Sequence, residues 1–273
     1  MNLLTIDSVH CRKCGICADV CPVSVISQDE GGIPFIAEEN EQRCVLCGHC
    51  VAICPNSVLK HNQLPEMNFI QQNQLREITS DNLTEYFHCR RSVRDFFPKE
   101  IEPSKLEKIF EVVNYSPTGI NRQMNKWVMI CNPELIRQLS VAVIEWMKAM
   151  VHANPDFANK LGCQRLIDSF EKGEDVICRD VHNLVIGYTD ASYTGGAIDS
   201  IIATSHLELL LPSFGLGGCW AGYLMIALRS SREVMNIVGL DETCAVHSAL
   251  MMGYPKYRYA KVPYRKQAQV KWM

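Results

Sequence analysis

The chain has 273 residues, with 27 Lys and Arg against 30 Asp and Glu and a net charge of −3. This length predicts one or two domains with room for a sizeable core. The near-balanced charge argues against a broad nucleic-acid-binding surface. Met1 to Asp7 has no basic n-region, and no apolar h-region with a cleavage site follows, so no signal peptide is expected. The most apolar stretch, Ile198 to Leu228, is interrupted by Asp199, His206, Glu208 and Pro212, and is expected to be a buried helix running into a loop. A soluble cytoplasmic protein is therefore expected.

The first elements in chain order are two copies of one cysteine pattern. They are Cys11-x-x-Cys14-x-x-Cys17-x-x-x-Cys21-Pro22 and Cys44-x-x-Cys47-x-x-Cys50-x-x-x-Cys54-Pro55, offset by 33 residues. Structural zinc prefers four ligands at one site, usually as separated pairs. Disulfides are disfavoured where thiols stay reduced. The spacing resembles the ligand run of a bacterial two-cluster ferredoxin, in which each run gives three thiolates to one [4Fe–4S] cluster and its fourth to the other. The resemblance implies one cluster on Cys11, Cys14, Cys17 and Cys54, and a second on Cys44, Cys47, Cys50 and Cys21. Pro22 and Pro55 turn the chain after the fourth ligand, since the ring fixes φ and removes a donor. Between the runs, Gly31-Gly32 leads into a short strand at Ile33 to Ile36.

A polar, glutamine-rich stretch from 62 to 82 reads as a connection between a domain of residues 1–61 and a second of residues 83–273. Leu106, Ile109, Phe110 and Val113 mark one face of a helix led in by Pro103-Ser104. A strand is expected at Lys126 to Cys131 and a helix at Glu134 to about Met150. A strand follows at Asn183 to Tyr188. A short helix is expected at Ser231 to Val238, stopped by Gly239, and a buried strand at Ala245 to Met252. Helices and strands alternate without a strict βαβ beat, and there is no Gly-x-Gly-x-x-Gly, so a Rossmann nicotinamide domain is not supported. The remaining cysteines, Cys89, Cys131, Cys163, Cys178, Cys219 and Cys244, read as small hydrophobes.

Four stretches in this second domain together resemble the nitroreductase family of flavin enzymes. They are Arg90-Arg91-Ser92-Val93-Arg94-Asp95-Phe96, Ser116-Pro117-Thr118-Gly119-Ile120-Asn121-Arg122-Gln123, Phe214 through Gly222, and Met252-Gly253-Tyr254-Pro255 with Arg265-Lys266 downstream. The resemblance implies an α+β fold with a central, mainly antiparallel sheet flanked by helices, and a homodimer with FMN at the subunit interface. It also assigns roles. Arg90, Arg91, Ser92 and Arg94, completed by Arg265 and Lys266, would hold the FMN phosphate and ribityl chain. An extended segment would put Arg90, Ser92 and Arg94 on one side, and the guanidinium fork suits a phosphate. Pro117, Thr118, Gly119, Asn121 and Gln123 would line the ring, with amides suited to its pyrimidine edge. Trp220, Ala221 and Gly222 would present backbone amides near the reactive N5, glycine allowing close approach.

Two departures bear on substrate. The family's Gln-Pro-Trp is displaced here to Gln123-Met124-Asn125-Lys126-Trp127. Residues 150–182, with His152, Cys163, Cys178, Asp180 and His182, match no family feature, although this region covers the flavin's open face in relatives. His182 reads as a packed histidine rather than a proton donor. The combination implies an oxidoreductase wired from a low-potential donor, such as an external ferredoxin, through two clusters to FMN. The acceptor would be a small electron-poor molecule: a nitroaromatic, a quinone or an activated alkene. No catalytic side chain is required. An NAD(P)H-dependent nitroreductase with a docking ferredoxin domain, or a non-catalytic electron carrier or redox sensor, are the alternatives.

Overall fold

The computed structural model describes residues 3–65 and 77–273. It divides into two compact units: Met1–Ile78 together with Ile120–Arg122, and Thr79–Gly119 together with Gln123–Met273. Of the expected 62–82 connection, residues 66–76 lie outside the described residues. Its end is already helical, because α3 (Ser80–Cys89) starts at Thr79, whose side chain accepts from the Asn82 amide.

The first unit repeats itself. Strand β1 (Leu4–Ile6) pairs antiparallel with β4 (Leu59–His61), and β2 (Ile26–Gln28) with β3 (Pro34–Ile36). One-turn helices α1 (Ile16–Asp19) and α2 (His49–Ala52) sit at equivalent places in the two cysteine runs. Left-handed residues recur at the same offset: Lys13 and Leu46 (φ 55° and 51°), Gly15 and Gly48 (75° and 72°), Ser24 and Ser57 (50° and 51°). Such φ values are strained for residues with a Cβ, so the surrounding structure of each loop must hold them in place. The buried apolar core is small: Leu3, Leu4, Val25, Ile26, Ile36, Cys50 and Leu59. A core of this size rarely holds a small domain alone, so bound clusters would supply much of its folding free energy.

The second unit is a four-stranded sheet in the order β5 (Lys126–Ile130), β6 (Asn183–Asp190), β8 (Cys244–Gly253), β7 (Gly217–Trp220). All three pairings are antiparallel, as the family resemblance implies. The central strands are covered on both faces. Leu184, Ile186, Ala249 and Met251 join one core, with Leu139, Val143 and Met147 of α5 (Pro133–Ala153). Val185, Leu250 and Met252 join the other, with Leu106, Ile109 and Val113 of α4 (Pro103–Val113) and Ala203 and Leu207 of α8 (Gly196–Leu210). Burial on both faces is why β6 and β8 read as continuous apolar runs.

The Ile198 to Leu228 stretch begins as the expected helix running into a turn, but it then continues into a strand and a second helix. α8 ends at Leu210, a 3-10 turn runs through Phe214, Gly215 reverses the chain at φ 72°, and β7 follows. A further helix, α9 (Gly222–Ser230), precedes α10 (Arg232–Ile237). A four-residue strand of Gly-Gly-Cys-Trp is too short to show a period. Residues 150–182 hold two more helices, α6 (Pro155–Leu161) and α7 (Cys163–Glu171). Ala158, Cys163, Leu166, Ile167, Ile177, Cys178 and Val181 are buried in the α5 core. Asp175 ties the loop after α7, accepting from Ser140 Oγ (2.9 Å) and from the Ile177 and Cys178 amides (3.0 Å each). Among the described residues no helix is long and apolar enough to cross a membrane.

Candidate functional site

In the first unit the cysteines line two cavities. Cys11, Cys14, Cys17 and Cys54 line one of about 420 Å³, and Cys21, Cys44, Cys47 and Cys50 line the other, of about 350 Å³. Each fourth cysteine thus faces the three of the opposite run, in the grouping that the ferredoxin resemblance implies. Among the described residues no group of three or more His, Cys, Asp or Glu side chains could hold a metal ion at one point. A cube has four irons at separate corners, so four thiolates lining one cavity could each meet a different iron. As free thiols, Cys17 is raised by burial and Cys50 is pushed up to about 11 by the same cause, so iron binding would release protons there. The Lys13 amide already points at Cys11 Sγ (3.4 Å), the kind of N–H to sulfur contact that tunes cluster potential.

In the second unit the predicted arginine segment docks on the rim of the sheet. Ser92 makes a parallel bridge with Gly218, the Val93 amide donates to the Gly218 carbonyl (2.9 Å), and Phe96 bridges Pro255. The glycines serve this docking. A Cβ on Gly217 would meet Val93 Cγ2 at 2.4 Å, and one on Gly218 would meet Leu211 Cδ1 at 2.7 Å. Their lack of a Cβ therefore admits neighbouring protein side chains. Gly222 differs, since a Cβ there meets nothing within 4 Å.

An open cavity of about 1090 Å³ lies beside this rim, lined among others by Arg90, Arg91, Gly217, Gly218, Glu208 and Arg258. Arg90 and Arg91, rather than the alternating Arg90, Ser92 and Arg94, face it. Arg94 is exposed, with Nη1 reaching the Ser92 carbonyl at 3.4 Å. Glu208, 8% exposed on α8, was not foreseen as a site residue. Its Oε1 accepts from Arg90 Nη1 (2.8 Å) and its Oε2 from Trp220 Nε1 (3.0 Å). Sequence offered one signal for it: a carboxylate inside an apolar helix needs a buried partner. Arg91 Nη1 donates to the Arg90 carbonyl, while its buried Nε has no partner. One unpartnered buried donor beside an arginine-lined cavity fits an anionic ligand.

The other predicted residues are dispersed. Gly119 donates to Asp199 Oδ1 (3.0 Å) and the Gln123 amide to Thr118 Oγ1 (3.0 Å), while Asp199 Oδ2 accepts from the Tyr193 hydroxyl (2.5 Å). Pro117 leads this turn, in which Ile120, Asn121 and Gln123 are left-handed (44°, 56° and 50°). Asn121 groups with the first unit, where its Nδ2 donates to the Val45 and Leu46 carbonyls (3.0 and 3.1 Å). The buried Ala221 amide is taken by the Ala249 carbonyl (2.8 Å). Arg265 and Lys266 are exposed in an irregular C-terminal segment and do not line the cavity. Cys163, Cys178 and Cys219 are buried as expected of small hydrophobes, but Cys89 is exposed at the cavity's edge. The Cys178 thiol is pushed up to about 12, and Cys219 is raised, both chiefly by burial, so neither is a ready nucleophile.

A helix-covered antiparallel sheet with an arginine-lined cavity thus shares one chain with a pair of four-cysteine cavities. Residues 10–59 match the 4Fe-4S dicluster domain. Residues 89–254 match the nitroreductase family, and since that is more than half the chain, the protein belongs to this family of oxidoreductases. It is similar to the FMN reductase [NAD(P)H] of Bacillus subtilis, 25% identical over 183 residues, covering 66% of this chain and 68% of the relative. Among solved structures it resembles an FMN-bound nitroreductase from Desulfitobacterium hafniense (TM-score 0.55, 20% identity, 69% of this chain and 97% of that one). An FMN-bound nitroreductase from Bacteroides fragilis aligns with a TM-score of 0.51 and 20% identity over 69% of this chain and 94% of that one.

Proposed function

We propose that this chain is a homodimeric, cytoplasmic flavoenzyme that accepts electrons at two N-terminal [4Fe–4S] clusters from a low-potential donor such as an external ferredoxin, and delivers them through FMN to a small electron-poor acceptor: a nitroaromatic, a quinone or an activated alkene. One observation carries the reading: the same chain holds a cross-wise pair of four-cysteine cavities and an arginine-lined cavity on a nitroreductase sheet. FMN, when bound, would convert single electrons into two-electron reduction of the acceptor.

The chain's own residues would bind and orient. Arg90 and Arg91 meet the phosphate, with Ser92, Arg94, Arg265 and Lys266 completing the clamp in the dimer. Pro117, Thr118, Gly119, Asn121 and Gln123 border the ring, the turn being held by Asp199. Trp220, Ala221 and Gly222 wall the opposite side. No side chain here needs to act as nucleophile or acid. Eight thiolate ligands in one small unit fit a reducing compartment.

The test is anaerobic reduction of the purified protein, following flavin and iron–sulfur absorbance separately. Reduced ferredoxin is expected to bleach the clusters and then the flavin, with NADH and NADPH inert. The similarity to an NAD(P)H-dependent reductase favours a second reading, in which nicotinamide reduces the flavin directly. That reading holds if a Cys14→Ser/Cys47→Ser variant is reduced by NAD(P)H as fast as the parent. Reduction by either donor with no turnover of any acceptor points to an electron carrier instead.

A further inference from the structure

The Arg90–Glu208 pair stands where the proposed function needs a free phosphate ligand. We infer that Glu208 is a resident anion that occupies Arg90 in competition with the flavin phosphate, and so sets the affinity and selectivity for the phosphorylated cofactor. The inference rests on the reading of Arg90 as a phosphate ligand.

Three observations carry it. The pair is 2.8 Å apart, with the Glu208 side chain almost buried (9% exposed) and that of Arg90 partly so (27%), so the carboxylate in particular depends on its partner. Glu208 itself lines the open cavity beside Arg90 and Arg91, so an anion entering there meets a carboxylate of its own sign as well as the guanidinium. Glu208 is also pinned, because its second oxygen is held by Trp220 Nε1 at 3.0 Å. It cannot swing away without leaving the indole N–H unpaired.

A dianionic phosphate at Arg90 must therefore share the guanidinium fork with a fixed carboxylate. Arg90 has donors left for this, because the structure uses Nη1 for the ion pair. The unpartnered Nε of Arg91 is a further buried donor. Recognition of the phosphate is real but discounted, and the discount depends on one negative charge. Riboflavin, which has the same ring and ribityl chain without the phosphate, escapes it.

The test measures binding of FMN and riboflavin to full-length, cluster-loaded protein stripped of flavin, by quenching of flavin fluorescence, together with the rate of FMN release from the holoprotein. Glu208→Gln keeps the size and removes the charge, its one carbonyl oxygen accepting from either Arg90 or Trp220 Nε1 but not both. It is expected to tighten FMN at least tenfold and slow its release, with riboflavin changed less than twofold. Glu208→Asp keeps the charge but draws it back from Arg90, and an intermediate tightening is expected. It carries the test if the glutamine variant does not fold. Weaker FMN binding in both variants, or equal shifts for FMN and riboflavin, overturns the inference and leaves Glu208 as a structural brace. Arg90→Ala separates the underlying reading: it should weaken FMN and spare riboflavin. If it changes neither, the phosphate assignment of Arg90 itself fails.

Discussion

Replacing Gly217 by alanine tests how the arginine segment is held. The new Cβ would lie 2.4 Å from Val93 Cγ2 and 3.1 Å from Pro255 Cγ, where ordinary contact begins at 3.4 Å. Val93 would have to retreat by about 1 Å, and its amide bond to the Gly218 carbonyl, now 2.9 Å, would stretch out of range. Overpacking of this kind costs about 1–3 kcal/mol. At roughly 2–4 °C per kcal/mol for a unit of this size, melting should fall by about 2–12 °C. Arg90 and Arg91 move with Val93. Loss of one charge-assisted hydrogen bond, about 1.5–3 kcal/mol, should weaken FMN roughly 10- to 150-fold. Thermal melting and flavin titration of the purified protein measure both effects. Gly222→Ala is the control, because a Cβ there meets nothing within 4 Å; it should melt within about 2 °C of the parent. If Gly217→Ala melts like that control and binds flavin like the parent, the segment is not docked as described and the reasoning fails.

Three further outcomes are expected. Cys11→Ala and Cys54→Ala should damage the same cluster, so the double variant loses no more iron than either single one, whereas Cys11→Ala with Cys21→Ala should lose both clusters; iron analysis and low-temperature EPR distinguish these, and additive loss from Cys11 and Cys54 would break the cross-wise grouping. Asp175→Ala should destabilise the second unit by about 2–4 kcal/mol, because a buried carboxylate with Ser140, Ile177 and Cys178 as donors leaves those donors orphaned; a melting temperature within 2 °C of the parent would refute that role. His247 is lowered below the usual histidine value by burial and then by the Arg229 charge, and the unfolded chain therefore takes up its proton first. The neutral ring's contribution is complete above about pH 6.5 and is lost as pH falls through the window between the unfolded and folded values. His247→Gln should flatten that part of the stability–pH curve, and an unchanged slope would show that other groups control it.

Much of this was legible in the chain itself. The cysteine runs declare their ligand count, because cluster ligation demands fixed short spacings. The buried strands β6 and β8 and the amphipathic helices α4 and α5 announce themselves through period, since burial selects residue type along each element. Four short motifs carry the second domain's resemblance to the family its sequence matches. Other features have no local signature. β7 is four residues long and its glycines answer to Val93 and Leu211, side chains that only the folded chain brings near. The cavity's inward face belongs to Arg90 and Arg91 rather than to alternate residues, because a single bridge at Ser92 does not impose a strand's alternation. Glu208 looked like an interruption in an apolar run. Tertiary packing alone made it the carboxylate shared by Arg90 and Trp220, because such a pairing depends on two distant segments arriving within hydrogen-bond reach of one helix.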